Sequence, residues 1–399
     1  MPPRPGEGRG TVAAVSTRAA PRTAPTVLTA LSVSVGAVMP VFLFGGLAVQ
    51  IADELGMRPS AIGLVSGLYF AAAGITAVPA GRLVERFGAP AIARAAVILA
   101  AAAMLAVGLA ARDPLTLVLL TLAAAPANGL GQLASNAILS DWAPRRHKGL
   151  LFGAKQASVP LCTTLAGLSV PAIALTLGWR WAFGAGAAAT LLALLPTLGL
   201  GRVHRPAGDG RGRIMDRRLG ILAVAALCSA GAATPLGSFL TTYSVEIGAT
   251  ESFAGLILTV GGLSGVAARI GVGALADRTG GEFGMIVLML LGGAAGLSTL
   301  LLAEPRLLPV GAAAGFALGW AWPGLVNYGI AKRYPQAPAA ATSITQTGVF
   351  LGGAAGPTAF GLIVDHAGWT AGWTWSIAAM ALAAAFMYAG SRVRPSPAG

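Results

Sequence analysis

An internal repeat of about half the chain is the sequence feature that most constrains the fold. The segment GRLVERFG at 81–88 aligns without gaps with GALADRTG at 273–280, 192 residues further on. The correspondence extends upstream, where Ser60 aligns with Ser252 and Gly63 aligns with Gly255. A repeat of this length indicates that a whole multi-helix unit was duplicated. We therefore expect two homologous halves that pack as a pseudo-symmetric pair.

The composition places these halves in lipid. Of the 399 residues, 55% are hydrophobic and only 10% are charged, and the mean hydropathy is +0.74. Soluble domains carry about 25% charged residues, so most of this surface must face a bilayer. Although the formal net charge is +13, the basic residues stand in short segments between apolar runs. We therefore expect no nucleic-acid partner.

Twelve apolar runs are each long enough to cross a bilayer, which takes about 20 residues. These runs, numbered here as spans 1 to 12, lie at 26–51, 60–80, 90–111, 115–139, 149–177, 181–200, 219–246, 253–272, 284–303, 307–330, 339–364 and 372–390. The sequence therefore predicts an all-α integral membrane protein with twelve transmembrane helices. The repeat divides them into two pseudo-symmetric six-helix bundles, at 26–200 and 219–390.

Three polar segments lie outside the bundles. They are an N-terminal tail that we expect to be disordered, a basic linker and a C-terminal tail, at 1–25, 201–218 and 391–399. If these segments are cytoplasmic, most of the 27 Lys and Arg residues lie on the cytoplasmic side. By the positive-inside rule we expect a multi-pass protein of the plasma (inner) membrane with both termini in the cytoplasm.

The repeated segment carries a motif of glycine, acid and arginine. Its second copy keeps Gly273, Leu275, Asp277, Arg278 and Gly280 of the pattern G-x-L-a-D-R-x-G-R. Its first copy keeps Gly81, Leu83, Arg86 and Gly88 and has Glu85 in place of the aspartate. With twelve spans and a basic central linker, the chain resembles the major facilitator superfamily of membrane transporters over about residues 26–390. The resemblance implies two halves that rock around a central substrate site.

Both copies of the motif are predicted to be turns between helices, because glycine permits a tight reversal. The acid could stabilise the N-terminus of the next helix. The resemblance implies that it can also pair with arginine across the halves and so hold the cytoplasmic side shut. The alternative is a topogenic loop with solvated charges. The candidate gating residues are Gly81, Glu85, Arg86, Gly88, Arg269, Gly273, Asp277, Arg278 and Gly280. We expect Arg269, near the inner end of span 8, to snorkel or to contact the gate rather than to bind substrate.

The resemblance implies that spans 1, 4, 7 and 10 line the central cavity, and span 4 carries three amides. Asn128, Gln132 and Asn136 are four residues apart, which places them on one helix face. Polar side chains are costly in lipid, so they either bind substrate or hydrogen-bond between helices. Asn327 is the counterpart of Asn136 across the repeat and is a further candidate.

Lys155 is the most informative single residue. It lies about six residues into span 5, and therefore about 10 Å deep, at a depth similar to that of Gln132. A lysine there either binds an anion or snorkels to the inner interface. Gln156 follows it and has Gln346 as its counterpart, whereas the counterpart of Lys155 is the uncharged Thr345. Any anion site would therefore be asymmetric.

Aromatic residues supply the remaining substrate candidates. Trp320 and Trp322 precede Pro323 in span 10, where we expect a kink. Since they are two residues apart, they cannot both face the cavity. One could flank an apolar or aromatic substrate, while the other packs or faces lipid. Tyr69 in span 2 is a further candidate.

The acids offer one candidate for proton coupling. No Asp or Glu falls at the middle of a span, and Glu246 at the outer end of span 7 is the best placed. Its alternative role is a solvated helix end. Coupling by a proton would need a group whose pKa responds to the cavity.

These patterns predict a secondary transporter of a small organic solute, with an organic anion as one option. The alternatives are a proton-coupled drug or metabolite efflux antiporter and a transport-inactive membrane sensor. We expect no enzyme activity and no cofactor, because the sequence lacks a Ser/His/Asp constellation, metal-ligand spacing and a P-loop. The expected partners are a small-molecule substrate, the lipid bilayer and protons or another coupling ion, with the chain acting as a monomer.

Overall fold

The computed structural model describes residues 23–142, 148–201, 216–279 and 281–393, and all of the secondary structure in these ranges is helical. The first half contains α1 (Thr23–Gly46), α2 (Ala48–Leu55), α3 (Pro59–Phe87), α4 (Ala89–Ala110), α5 (Pro114–Trp142), α6 (Lys148–Gln156), α7 (Ser158–Ser169), α8 (Leu175–Leu177), α9 (Trp179–Leu192) and α10 (Leu195–Leu198). The second half contains α11 (Arg217–Glu246), α12 (Glu251–Thr279), α13 (Glu282–Ser298), α14 (Leu308–Ala314), α15 (Pro323–Arg333) and α16 (Pro338–Arg392). The predicted N-terminal tail, most of the linker and most of the C-terminal tail lie outside the described ranges.

Short irregular helical segments interrupt two of the passes. A π-helical segment, Val170–Ala174, joins α7 to α8, and another, Gly315–Gly319, follows α14. Two 3-10 segments, Thr299–Leu302 and Pro305–Leu307, connect α13 to α14. The interruption before α15 ends at Pro323, which cannot donate a backbone hydrogen bond to the preceding turn. The predicted kink in span 10 is therefore a complete break between two short helices.

The described residues make twelve passes. Ten helices are long and apolar enough to cross a membrane. The last of them, α16, reverses at Gly368 (φ 80°). The reversal is seen in Gly348 and Gly390, which are on either side of Gly368 and lie against the adjacent residues Ala223 and Leu222. It therefore supplies two passes, and the broken path through α14 and α15 supplies one more. The predicted all-α membrane fold with twelve spans is confirmed.

The repeated motif is helical, so the turn predicted across it was wrong. α3 continues to Phe87 and α12 continues to Thr279. The motif is rich in helix formers, and an arginine in the last turn interacts favourably with the helix dipole. The first reversal comes at Gly88, whose φ of 88° suits glycine. Between α12 and α13, Gly281 has a φ of 73°, and Gly280 lies outside the described residues.

The two halves pack closely on one side of the molecule. We call the side where α1 begins and α16 ends the terminal side, and the other the opposite side. On the opposite side, Thr241 Oγ1 donates to the carbonyl of Gly45 at 3.1 Å, and Ser238 Oγ donates to Ser66 Oγ at 3.1 Å. A Cβ added to Gly45 would lie 2.1 Å from the carbonyl oxygen of Gly237. Backbone therefore meets backbone here, and this side is closed.

On the terminal side, α6 of the first half contacts α12 and α15 of the second. A Cβ added to Gly153 in α6 would lie 2.5 Å from the carbonyl oxygen of Arg269, and one added to Gly324 would lie 3.7 Å from the Cα of Gly153. Small residues let transmembrane helices approach closely. These contacts place α6, which carries Lys155, beside α12, which carries Arg269.

Candidate functional site

A chain of polar side chains joins α1, α5, α6 and α7 inside the first half. The Lys155 amine donates to Gln132 Oε1 at 2.5 Å, and Gln132 Nε2 donates to Ser34 Oγ at 3.0 Å. Ser34 and Ser158 share a hydrogen bond of 2.9 Å. A further bond of 3.4 Å runs from Lys155 to Gln156 Oε1. We call these five residues the polar network.

Local structure places each member of the network. Gln132 occupies the face of α5 that the spacing of its amides predicted. α6 ends at Gln156 and α7 begins at Ser158, and Ala157 between them continues the helical path, with its N–H donating to the carbonyl of Gly153 at 3.0 Å. Lys155 and Ser158 are three residues apart and so share a helix face, from which they reach α5 and α1. Buried polar groups must be hydrogen-bonded to be tolerated in an apolar setting, and the network meets this requirement.

Lys155 lies inside the protein and does not snorkel. Its side chain is only 1% exposed. Ion pairs among the described residues join Arg180 to Glu54, and Lys332 and Arg333 to Glu282. No carboxylate of the described residues therefore pairs with Lys155. A buried amine with amide partners alone therefore has no opposite charge among the described residues to compensate its own.

Arg269 is a second buried cation, in α12 of the other half. Its side chain is 5% exposed, and its Nη2 atom donates to the carbonyl oxygen of Trp320 at 2.6 Å. Its Nε and Nη1 atoms have no partner among the described residues. Of the two expected roles, snorkelling is wrong, because α12 continues for about 15 Å beyond Arg269 and places it well inside the pass. The gate contact stays a prediction, since the Arg269 backbone lies against Gly153 of the other half.

A small cavity lies beside Arg269, between the halves. Its volume is about 10 Å³, which is room for one water-sized group. It is lined by Gly153 of the first half and by Arg269, Val272, Gly273, Ala321, Gly324, Leu325 and Tyr328 of the second. The guanidinium is the only positively charged group among these residues.

Both tryptophans before Pro323 are buried, so neither faces lipid. Trp320 is 7% exposed and Trp322 is 1% exposed. The Trp320 ring packs at 5.8 Å from the ring of Phe42 and at 5.5 Å from that of Phe316. Its contact with Phe42 crosses between the halves. The prediction that one tryptophan packs is therefore met by both.

The remaining substrate candidates are dispersed. The Tyr69 hydroxyl is fully buried and donates to the carbonyl of Ala37 at 3.2 Å, which ties α3 to α1. Asn128 is buried in α5. The other three amides, Asn136, Asn327 and Gln346, are half-buried. The structure thus brings Gln132, Lys155 and Gln156 together and leaves the rest of this set outside the polar network.

The gating candidates differ between the two copies of the motif. Asp277 lies at the interface, where its Oδ2 atom accepts a hydrogen bond from the backbone N–H of Leu150 at 3.0 Å. Gly273 lies against Gly153. The side chains of Glu85, Arg86 and Arg278 are exposed, and Gly81 has open space around it. These two contacts tie the second copy of the motif to the other half.

Sequence reasoning missed the contacts that close the opposite side. The Gln50 amide donates to Glu251, and the backbone N–H of Ser60 donates to Asp365 Oδ2 at 3.3 Å. The members of the second pair are 305 residues apart, and no local pattern links them. Glu246, the proton-coupling candidate, is exposed at the end of α11.

Glu54, the repeat counterpart of Glu246, has a different environment. It binds Arg180 Nη1 at 2.6 Å and Trp179 Nε1 at 2.7 Å. The hydrogen bond from the Arg180 guanidinium holds the pKa of this carboxyl below its ordinary value of 4.5, with further help from Trp179. This pair joins α2 to α9 within the first half.

Twelve apolar passes in two closely packed halves define a multi-pass membrane protein. Residues 28–218 and 222–399 match the Major Facilitator Superfamily, and the chain belongs to this superfamily of membrane transporters. A comparison with curated proteins finds no match. The sequence-based resemblance is therefore confirmed at the level of the family.

Solved structures of similar fold are membrane transporters. One is a bacterial homolog to the human lysosomal transporter Spinster in an inward-facing and occupied conformation, with a TM-score of 0.69 and 17% identity over 92% of this chain and 96% of that chain. Another is a point mutant of the nucleoside transporter NupG, with a TM-score of 0.70 and 13% identity over 91% of this chain and 99% of that chain. At these identities the likeness establishes the fold.

Proposed function

We propose that this transporter is a secondary carrier that moves a small organic anion by alternating access. The observation that carries the proposal is the buried Lys155 ammonium, which has amide partners and no carboxylate among the described residues. A buried charge costs several kcal/mol unless it is paired. An anionic substrate that pairs with Lys155 while the site is occluded would recover that cost.

The position of Lys155 suits a binding role. The polar network joins four helical segments of one half, so an anion bound there would rigidify that half as a unit. The amide oxygens of Gln132 and Gln156 hold the amine in place. When an anion displaces these oxygens from the amine, the two amide groups can donate N–H hydrogen bonds to the anion. Charge-assisted hydrogen bonds of this kind are roughly twice as strong as neutral ones.

The contacts between the halves support alternating access. The opposite side is closed by hydrogen bonds and glycine contacts, whereas α6 contacts α12 on the terminal side. Breaking one set while keeping the other would expose the network to one side at a time. We further propose that the termini are cytoplasmic in a plasma membrane, as the basic residues favour, and that the closed side is extracellular.

The test is uptake of radiolabelled organic anions by proteoliposomes, with and without an imposed pH gradient. Wild-type protein should carry at least one small organic acid. Lys155→Gln should lower kcat/KM by about ten- to a hundredfold, since a charge-assisted pair contributes about 1.5–3 kcal/mol. Arg58→Gln is the matched control, because Arg58 is exposed on a loop of the opposite side. If Lys155→Gln carries every tested anion as well as wild type does, the anion proposal fails.

A further inference from the structure

We propose that the substrate carries two acidic groups, one bound by Lys155 and the other by Arg269, so that the anion bridges the two halves. This inference rests on the proposed function and names the class of anion. The central observation is the Arg269 guanidinium. It is buried and charged at any physiological pH, and two of its three nitrogens have no partner among the described residues.

Arg269, which carries the unpartnered nitrogens, lines a cavity at the boundary between the halves. Gly153 lines the cavity from the first half, while Ala321 and Gly324 line it from the second. Within the described part of the chain, the one hydrogen bond of the guanidinium goes to the carbonyl of Trp320, at the break before α15. An arginine that served only to cap that carbonyl would need one N–H group. Nη2 carries a second N–H group, which together with the unpartnered Nε or Nη1 forms the fork that binds a carboxylate with two parallel hydrogen bonds.

Gln156 connects this cavity with Lys155. In α6 the residues Gly153 and Gln156 are three apart and share a face, whereas Lys155 points about 160° away from Gly153. The Gln156 Cγ atom lies 3.8 Å from where a Cβ on Gly324 would be, and its Oε1 accepts from Lys155. The Gln156 side chain therefore contacts Lys155 at its amide end and lies beside Gly324, a residue of the cavity wall, at its stem. A diacid that spans this side chain could place one acid group at each cation.

Charge balance leads to the same class of ligand. No carboxylate among the described residues pairs with Lys155 or Arg269. Two uncompensated buried cations are neutralised by two negative charges and only half neutralised by one. The present cavity holds a water-sized group, so the halves must separate on the terminal side before the second acid group enters.

The test compares ligands that differ in one charge. Succinate, glutarate and adipate are assayed against their monomethyl esters and against butyrate, valerate and caproate as inhibitors of uptake in proteoliposomes. We expect each effective diacid to act at a concentration at least about tenfold lower than its ester, as one charge-assisted pair requires. A diacid and its ester of equal potency on wild-type protein would overturn the inference without any variant.

Variants then assign the preference to Arg269. Arg269→Gln should bring the diacid down to the potency of its ester, so that the ratio of diacid to monoacid potency falls by at least about tenfold, and Arg269→Lys should keep part of the preference. Arg306→Gln is the control, because Arg306 is exposed in the 3-10 segment Pro305–Leu307. An equal loss for mono- and diacids in Arg269→Gln would show a structural role and reject the inference. If wild-type protein carries no acid of either kind, the proposed function itself fails, and with it this inference.

Discussion

Asp277 accepts a hydrogen bond from the backbone N–H of Leu150 at 3.0 Å and thereby joins the second half to the first on the terminal side. Leu150 is in the first turn of α6, where backbone N–H groups have no partner within their own helix. A carboxylate there is also stabilised by the positive end of the helix dipole. The repeated motif thus supplies a helix cap that acts between the halves.

Loss of this cap should open the terminal side. Asp277→Asn removes the charge, and an N-terminal cap contributes about 1 kcal/mol, so the open population should rise about fivefold. Spin labels at the exposed positions Arg82 and Ser343, one in each half, would report a longer mean distance. Glu85→Gln is the matched control, since Glu85 is the repeat counterpart and is exposed. A similar lengthening in both variants would contradict a specific role for Asp277.

A methyl group at Gly45 should prevent the opposite side from closing. The added Cβ would lie 2.1 Å from the carbonyl oxygen of Gly237, a distance that requires backbone movement. Gly45→Ala should therefore abolish net uptake and increase labelling of cysteines introduced on the opposite side. Gly184→Ala provides the comparison, because Gly184 in α9 has open space around it. That change should be neutral or stabilise the helix by up to about 1 kcal/mol. Normal uptake by Gly45→Ala would show that this contact is dispensable.

The hydrogen bond between Lys155 and Gln132 should appear as a coupling energy. Gln132→Leu should lower the free energy of unfolding by about 2 kcal/mol, because it leaves the buried ammonium with a weaker shell. Lys155→Met should also destabilise, since it leaves the Gln132 amide oxygen unpaired. In the double variant both groups are gone, and its loss should be smaller than the sum of the single losses by at least about 1 kcal/mol. Denaturant unfolding in detergent measures the cycle, and strict additivity would argue against the pair.

Acid should destabilise the fold through Glu54. Because Arg180 lowers the pKa of this carboxyl in the folded protein, its stabilising effect is present above the ordinary value of 4.5 and is lost as pH falls through the lowered pKa. Glu54→Gln should therefore flatten the decline of Tm below about pH 4.5. Glu246→Gln, at the exposed counterpart position, should leave the acid limb as in wild type. An identical acid limb in Glu54→Gln and wild type would exclude this contribution.

The architecture was predictable because each pass is a long apolar run in the sequence. The helical ends of α3 and α12 were not predictable, since the glycines and charges of the repeated motif suggested a turn. In the structure both helices continue through the motif. The depth of Lys155 relative to Gln132 follows from helix rise alone. Which residue of the polar network bonds to which depends on how α1, α5, α6 and α7 pack together, and local sequence does not encode that.

The environment of Arg269 could not be predicted from the sequence either. Snorkelling was expected because span 8 was predicted to end at residue 272. Since α12 continues to Thr279, Arg269 is buried inside the pass instead. Its partner is a backbone carbonyl, which has no sequence signature at all. Contacts such as Ser60 with Asp365 join residues 305 positions apart and become visible only when the halves are assembled.

The glycine contacts on the opposite side attract the two halves only over a short distance. Added Cβ atoms at Gly63 and Gly361 would lie 2.2 Å and 2.5 Å from the carbonyl oxygens of Pro357 and Pro59, so main chain touches main chain there as well. Dispersion attraction between such surfaces falls by up to about half when they part by about 1 Å. At these glycines there is no long side chain to tether the surfaces beyond that distance. The two halves should therefore separate at these glycines in one step, because the contacts could not stabilise a partly separated state.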